Sequence, residues 1–416
     1  MAKTQLSAAA LVLAGCAATG ATDSTSYDAP GERDVVALAD ASAHAAVVDA
    51  SWALGWEALS ATPASAHAVV SPASLVAALA MLAESAVGDE ATPFDAVLGA
   101  SGDARTDAVN ALQRALERYD GDPALVAADE LPATPMVHTA RQLVVDDQFT
   151  PAQAVLDRLK RGYGAGVLST DLASGDGIRP LHDFARRETG GLIERSAIEP
   201  SPDLLAVLQD AIVLAAAWEQ PFALGSTFDE DFVTRTGPVP VPTMSGIFDV
   251  PAVEQEGWQA VRLPYDSGLA ADLLLPPAGS PAAADPRAAD VATISGLSAA
   301  LSGAPAGRVA VTLPKLDLRA TVDLTPMLGR LGLAGDLTGL AADGTPVSLA
   351  QAVQQAVLQV DEEGTRAAAF TELAVAGSAP IEPPLTVRFD RPFVFVVTDT
   401  TTGWPLFVAS ILDPRA

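Results

Sequence analysis

The sequence predicts an α+β fold, and three observations predict it. Apolar residues recur at helical spacing over 36–60, 72–87, 103–118, 151–162 and 177–188, mostly in the first half. Strand-like runs gather later, at 204–217, 308–318, 353–361, 388–397 and 404–411, with 142–146 as an early one. No Pro/Gly/Ser linker divides the 416 residues into balanced halves and no repeat is visible, so 36–416 reads as one domain. Segregated helices and strands, without strict alternation, point to α+β.

The elements have local reasons. Ser71 before Pro72 gives a helix an N-cap and a first-turn proline, where the missing N–H costs nothing. The run Ala77-Ala78-Leu79-Ala80-Met81-Leu82 that follows is rich in the best helix former. The stretch 276–286 (Pro-Pro-Ala-Gly-Ser-Pro-Ala-Ala-Ala-Asp-Pro) reads as a loop.

One segment, 361–379, carries most of the functional information. From Thr365 it alternates: Thr365, Ala367, Ala369, Thr371, Leu373 and Val375 share one strand face, all small or apolar. Arg366, Ala368, Phe370, Glu372, Ala374 and Ala376 share the other, with both charges. Yet Glu362-Glu363-Gly364 precedes it and Gly377-Ser378-Ala379-Pro380 closes it, which is loop chemistry. Strand pattern with loop punctuation fits a segment with two conformations, exposed loop and inserted strand. It also fits an ordinary edge strand with an acidic turn.

The run Glu362-Glu363-Gly364-Thr365-x-Ala367-Ala368-Ala369 resembles the hinge of the serpins, the serine-protease inhibitor superfamily. Other blocks follow in family order. Val70-Ser71-Pro72-Ala73-Ser74-Leu75 resembles the buried Ser-Pro-x-Ser helix start, and Thr189-Gly190-Gly191-Leu192-Ile193 the Thr-x-Gly-x-Ile turn. Trp218-Glu219-x-Pro221-Phe222, with Thr227 and Asp231-Phe232, resembles the Trp-x-x-Pro-Phe signature. Val241-Pro242-Thr243-Met244, Leu313-Pro314-Lys315-Leu316, Phe389-Asp390-Arg391-Pro392-Phe393 and the closing Pro405-Leu406-Phe407…Asp413-Pro414 are similar to further strand motifs.

The resemblance implies a serpin fold, about eight or nine helices around three β-sheets, with an exposed reactive loop at about 362–387. It implies suicide-substrate inhibition of a serine endopeptidase: cleavage frees a hinge (Glu362, Glu363, Gly364, Thr365, Ala367, Ala368, Ala369), which inserts as a new strand and carries the acylated protease along. The 15 residues from Gly364 to Ser378 would make about 50 Å of strand. The reactive bond falls at Ser378-Ala379, with Ala376 and Gly377 as alternatives. Because 375–379 lacks Arg, Lys and aromatic residues, the targets are elastase-like or subtilisin-like, whose pockets take small or apolar side chains. A papain-like cysteine protease is an alternative target, and a non-inhibitory binding scaffold an alternative function.

The resemblance also implies an entry cluster, or breach, of Trp218, Lys315 and Glu362, with Glu362 and Lys315 as an ion pair. A shutter cluster of Ser71, Ser74, Asp210 and Gln354 lies lower in the sheet. Two members depart from the family, Asp210 replacing the usual Asn and Gln354 the usual His; the Gln354 amide is expected to donate to the Asp210 carboxylate.

Composition narrows the partners. With 52 acidic against 24 basic residues the net charge is −28, so nucleic acid and heparin-like polymers are not expected as partners. Hydrophobic content of 49% and a mean hydropathy of +0.28 supply a sizeable core. No Gly-x-Ser-x-Gly elbow, His-Glu-x-x-His, Walker loop or Gly-x-Gly-x-x-Gly is present, and none of His44, His67, His138 and His182 has a partner at metal-ligand spacing. Neither enzyme activity nor metal nor cofactor is expected, and the chain is read as a monomer.

The amino terminus reads as targeting. Lys3 precedes an apolar run, Leu6 to Ala14, too short to span a bilayer. Leu13-Ala14-Gly15-Cys16 resembles the bacterial lipobox, with Cys16, the single cysteine, as lipidation site. The expected organisation is a signal peptide at 1–15, a lipidated cysteine and flexible tether at 16–35, and the domain thereafter. The protein would then be secreted and lipid-anchored to a bacterial cell envelope. Ala17 in place of an aspartate favours the outer membrane in a diderm.

Overall fold

The computed structural model describes residues 24–27, 29–63, 68–128, 130–365 and 385–415. It opens with a short strand, β1 (Thr25–Tyr27), in the segment expected to be a free tether. Helix α1 (His44–Ser60), β2 (Ala68–Val70), α2 (Pro72–Ala83), α3 (Ala91–Leu98) and α4 (Gly102–Leu116) follow. Ser71 Oγ accepts from Ser74 N at 3.2 Å, so α2 has the expected cap. Eleven of its residues are buried, Pro72 to Ala77 and Leu79 to Ala83, which is why alanine dominates it and no polar face is legible.

The chain continues through β3 (Met136–Asp146), α5 (Gln153–Tyr163), β4 (Gly166–Thr170), α6 (Arg179–Glu188) and β5 (Ala206–Ala217). Next come β6 (Thr227–Thr234), β7 (Gly237–Gln255), β8 (Trp258–Pro264), β9 (Leu269–Leu275), α7 (Pro281–Ala284) and α8 (Val291–Gly303). The carboxyl-terminal part holds β10 (Ala306–Pro314), β11 (Leu316–Asp323), α9 (Thr325–Arg330), β12 (Val353–Val360), β13 (Gly364–Thr365), β14 (Leu385–Arg388), β15 (Phe393–Asp399) and β16 (Pro405–Ile411). The loop read at 276–286 contains the single turn α7, capped by Ser280 Oγ accepting from Ala283 N at 3.2 Å.

Two sheet systems result. The first runs β1-β4-β3-β5-β13-β12-β11. The second runs β14-β10-β7-β8-β9-β15-β16-β2, with β6 on β7. The expected second and third sheets share the 19-residue strand β7 and are continuous through it. Its start pairs with β6 up to Met244, its middle with β10, and its end with β8 from Ala252. The single strand expected over 308–318 is two strands in different sheets, broken at Lys315. Its N–H donates to Pro242 O at 2.9 Å, still in the β10–β7 register, and β11 then pairs with β12.

The core lies between α1, α2 and the strands β9, β15 and β16, each buried along its length. Strands buried on both faces read as unbroken apolar runs. Among the described residues, no helix is long and apolar enough to cross a membrane.

The described part of the expected tether is packed on the body. β1 pairs with the edge strand β4 (Thr25 opposite Ser169), Asp34 N donates to Arg161 O at 2.8 Å, and Arg33 Nη1 meets Glu117 Oε1 at 2.7 Å. Asn110 fixes the arm further, its Nδ2 donating to Asp34 O at 3.0 Å and its Oδ1 accepting from Val36 N at 3.2 Å.

Candidate functional site

The first sheet is held together between β5 and β12 at one end only. There β13 sits between them, Gly364 opposite Ala217, and Thr365 opposite both Ala216 and Val360. Below Thr365, β5 and β12 share no ladder among the described residues. Two cavities follow the gap. One of about 30 Å³ touches Thr365, Val213, Leu358 and Phe407. One of about 130 Å³ reaches Ser74, Asp210 and Gln354, with Phe184 of α6 on the other side. Together they form a slot along the sheet, running between α6 and α2.

The upper end of the slot is closed by Trp218, Lys315 and Glu362, which the fold brings together. Lys315 Nζ lies 2.7 Å from Glu362 Oε2, and Thr227 Oγ1 donates to Glu362 Oε1 at 2.7 Å. Burial pushes the Glu362 carboxyl up, but the Lys315 and Thr227 hydrogen bonds outweigh it and hold the group below the usual range. Trp218 stacks on Tyr265, centroids 4.5 Å apart, and donates through Nε1 to Asp361 O at 3.0 Å. Main-chain bonds seal the turn: Trp218 N to Glu363 O and Phe222 N to Glu362 O, both 2.8 Å.

Residues not anticipated from the sequence complete this end. Asp361 Oδ1 accepts from Glu363 N at 3.0 Å and Gly364 N at 3.3 Å, making the tight turn that delivers Gly364 to β5. The Asp-x-x-Gly spacing was the available signal. The Thr365 hydroxyl hydrogen-bonds the Tyr265 hydroxyl, which no local pattern foretells. Gly364 admits no side chain, since a Cβ there would lie 2.1 Å from Ala216 O.

The lower end departs from expectation. Gln354 does not donate to Asp210: its Nε2 donates to Ser71 O at 3.0 Å and its Oε1 accepts from Ser71 N at 2.9 Å. An amide so engaged spends both functions on the main chain before α2. Asp210 instead faces Arg141, directly opposite on β3, with Nε to Oδ2 at 2.7 Å. The contact lies off the N–H axis, so neither carboxylate oxygen has an aligned hydrogen bond, nor does Ser74 Oγ alongside. Burial pushes Asp210 up to about 6 despite the opposing charge of Arg141.

The turn after α6 borders the slot. Thr189 Oγ1 donates to Ala185 O at 2.6 Å and accepts from Ile193 N at 3.0 Å, while Gly190, at φ +57°, lies where a Cβ would meet Pro123 O at 2.1 Å. That packing accounts for the Thr189-Gly190-Gly191 spacing. His138 on β3 lies between Asp120 and Glu188, at 2.9 and 3.0 Å, and ties the sheet to α6. Ala367, Ala368, Ala369, Ala376, Gly377, Ser378, Ala379 and Cys16 lie outside the described residues.

The described chain resumes at Leu385 in the second sheet, β14 running parallel to β10. Thr365 and Leu385 are therefore anchored in different sheets. A cleavage between them would leave each end held separately.

Comparison with known proteins agrees with this architecture. The family described as "Serpin (serine protease inhibitor)" matches residues 54–414. Mouse alpha-1-antitrypsin 1-4 is 28% identical over 360 residues, 83% of this chain and 82% of that protein. Among solved structures, a thermophilic serpin, tengpin, in the native state superposes with a TM-score of 0.76 at 19% identity, covering 92% of this chain and 96% of that one. A thyroxine-binding globulin complex with thyroxine gives 0.70 at 22%, covering 89% and 99%. With most of its length matched by one family, in family order and with the family's fold, the chain belongs to the serpins.

Proposed function

We propose that the chain inhibits a serine endopeptidase by trapping it as an acyl-enzyme while the cleaved loop inserts into the first sheet. The observation that carries this reading is β13, two residues already seated at the head of a slot that continues between β5 and β12. A chain end released there has a strand position to fill, and its ladder bonds and apolar contacts drive the insertion. The residues due on the inward face, Thr365, Ala367, Ala369 and Thr371, are small enough to enter. The antitrypsin relatives lend support to protease inhibition, and the small residues at 375–379 to an elastase-like or subtilisin-like target. The hinge, breach and shutter roles given to the named residues belong to the same proposal. So does anchoring through Cys16 to a bacterial envelope.

Purified protein incubated with elastase, subtilisin, trypsin and papain, then run on a denaturing gel, tests it. The expected result is a covalent complex with elastase or subtilisin and none with trypsin. A complex with papain alone would move the target class to cysteine proteases. Cleavage without any complex, at every stoichiometry, would leave a binding scaffold in the serpin fold. For the anchor, Cys16→Ser should release the protein from membranes; an unchanged fractionation removes the lipoprotein reading.

A further inference from the structure

The slot is bridged from one bank to the other by α6 and the stretch that follows it, as far as Glu199. On the β3–β5 bank, Gln209 Nε2 donates to Leu181 O at 3.1 Å and His138 Nε2 meets Glu188 Oε2 at 3.0 Å. On the β12–β11 bank, Arg319 Nη1 donates to Leu192 O at 2.9 Å, and Gln355 Oε1 accepts from Ala197 N at 2.9 Å. Gln351 closes the far end, donating through Nε2 to Glu199 O at 2.8 Å and accepting from Glu199 N at 3.0 Å. A strand entering between β5 and β12 would widen the sheet by about 4.8 Å, more than a hydrogen bond can stretch. Ties on one bank must then be released.

The tie at His138 depends on a proton. Nδ1 lies 2.9 Å from Asp120 Oδ1 and Nε2 lies 3.0 Å from Glu188 Oε2, and an ionised carboxylate only accepts. Both contacts are hydrogen bonds only when both ring nitrogens carry a proton. A neutral imidazole turns a lone pair toward one carboxylate, and the bond it keeps loses the charge assistance that supplies about half its strength. The neighbouring charges are committed elsewhere. Arg187 Nε donates to Glu188 Oε1 at 2.7 Å, Glu117 pairs with Arg33 and Arg114, Arg118 with Asp399, and Asp122 accepts from Ala124 N. Opposite His138 on β5 stands Val213, with Ala211 and Ala215 on the same face.

We propose that His138 is a positioning residue for loop insertion, its charge setting how firmly α6 is held across the slot. The inference rests on the inhibitory reading above. Protonated, His138 fastens the helix to β3 and slows the opening of the sheet; deprotonated, it lets the helix lift and the strand enter. Two other titrating groups lie close. His182 on α6 meets Arg195 at 3.3 Å, and Asp210, three residues from Val213, is on the opposite face of β5. Both persist in a His138→Gln variant, so their effects cancel when it is compared with the parent at one pH.

Hydrogen exchange of the amides from Phe184 to Glu199, in the parent and in His138→Gln at about pH 5.5 and about pH 8.5, tests the clamp. At the higher pH the two should exchange alike, because each side chain then offers a neutral donor. At the lower pH the variant should exchange about tenfold faster. Glu188→Gln, which keeps the histidine and removes the charge it meets, should repeat that pattern, and His182→Gln should behave as the parent. The trapped fraction of elastase or subtilisin should follow: equal at pH 8.5, and higher for His138→Gln at pH 5.5. Equal exchange at both pH values would overturn the proposal, and so would the same difference at both, which packing alone produces. Equal trapping at pH 5.5 despite faster exchange would overturn the link to insertion. Exchange is read without protease, so a parent that traps nothing counts against the inhibitory reading while exchange still decides the clamp.

Discussion

Glu362 and Asp210 stand at opposite ends of the same opening, each beside one cation at 2.7 Å, and their carboxyls are displaced in opposite directions. Glu362 is held below the carboxylate range and Asp210 is pushed up to about 6. The difference is depth of burial. Asp210 is wholly enclosed, and its desolvation outweighs what Arg141 and Ser74 beside it can offset; Glu362 is less deeply placed, and well-aligned donors from Lys315 and Thr227 outweigh its desolvation. The upper end is therefore latched by satisfied contacts. The lower end, here called the seam, keeps unsatisfied groups around a cavity of about 130 Å³.

The sharpest way to break this contrast is at the latch. Thr365→Arg places a charge where the native side chain is 4% exposed and bonded to Tyr265, at a cost of several kcal/mol. A tenfold change in rate needs only about 1.4 kcal/mol, so insertion should lose the race with deacylation. The variant should be cleaved at the parental bond without trapping. Gly364→Ala should act in the same direction, its Cβ meeting Ala216 O. Parental trapping by Thr365→Arg would show that the seat of β13 is irrelevant to inhibition.

The seam gives the next effect. Arg141→Ala leaves Asp210 buried beside no cation, which should cost about 3–5 kcal/mol at pH 8 and less near pH 5, where the carboxyl takes up a proton. Urea unfolding at the two pH values measures it. An equal loss at both would mean that Arg141 acts by packing alone.

These two regions also differ in how far the sequence disclosed them. The latch was legible because its partners are carried by ordered blocks, Trp218 in one, Lys315 in another and Glu362 in a third. The seam was not. Arg141 becomes the partner of Asp210 only through the register of β3 on β5, and the polar residues His138, Thr139 and Arg141 itself hid the first half of that strand. Gln354 does reach the start of α2 but not the acceptor expected for it, since the main chain at Ser71 competes without any signature in sequence. The arm was misread for a related reason. Thr25, Ser26 and Tyr27 have linker composition, and only the open edge of β4 makes a strand of them. Lys315 marks a change of partner, β7 before it and β12 after it, that periodicity over 308–318 does not contain.

The pH dependence of stability separates the two carboxyls with less effect. Asp210 has a folded value near 6 against an ordinary 3.8, so the folded state holds a proton that the unfolded chain releases. Its contribution is full below 3.8 and is lost as pH rises through about 6, on the order of 2–3 kcal/mol in all. Glu362 is lowered from 4.5, so its contribution is present above 4.5 and lost as pH falls through the folded value. Asp210→Asn should therefore flatten the stability curve between pH 4 and 6, whereas Glu362→Gln should flatten it only below 4.5. The same change in both variants would collapse the distinction between latch and seam.

The smallest expected effect is the coupling within the latch itself. Lys315 is 40% exposed, so solvent screens its pairing with Glu362, and a double-mutant cycle of Lys315→Met and Glu362→Gln should give about 0.5–1 kcal/mol. That term should shrink in 1 M salt, where the screening length falls to about 3 Å. Thr227→Val should uncover a further part, because its hydroxyl holds the other carboxylate oxygen and fixes the geometry that Lys315 meets. Strictly additive effects in the Lys315–Glu362 cycle would mean that the turn at Asp361 and the stacked Trp218–Tyr265 pair hold the entrance, with the ion pair a bystander. Coupling that survives high salt unchanged would instead place Lys315 in a drier setting than its exposure allows.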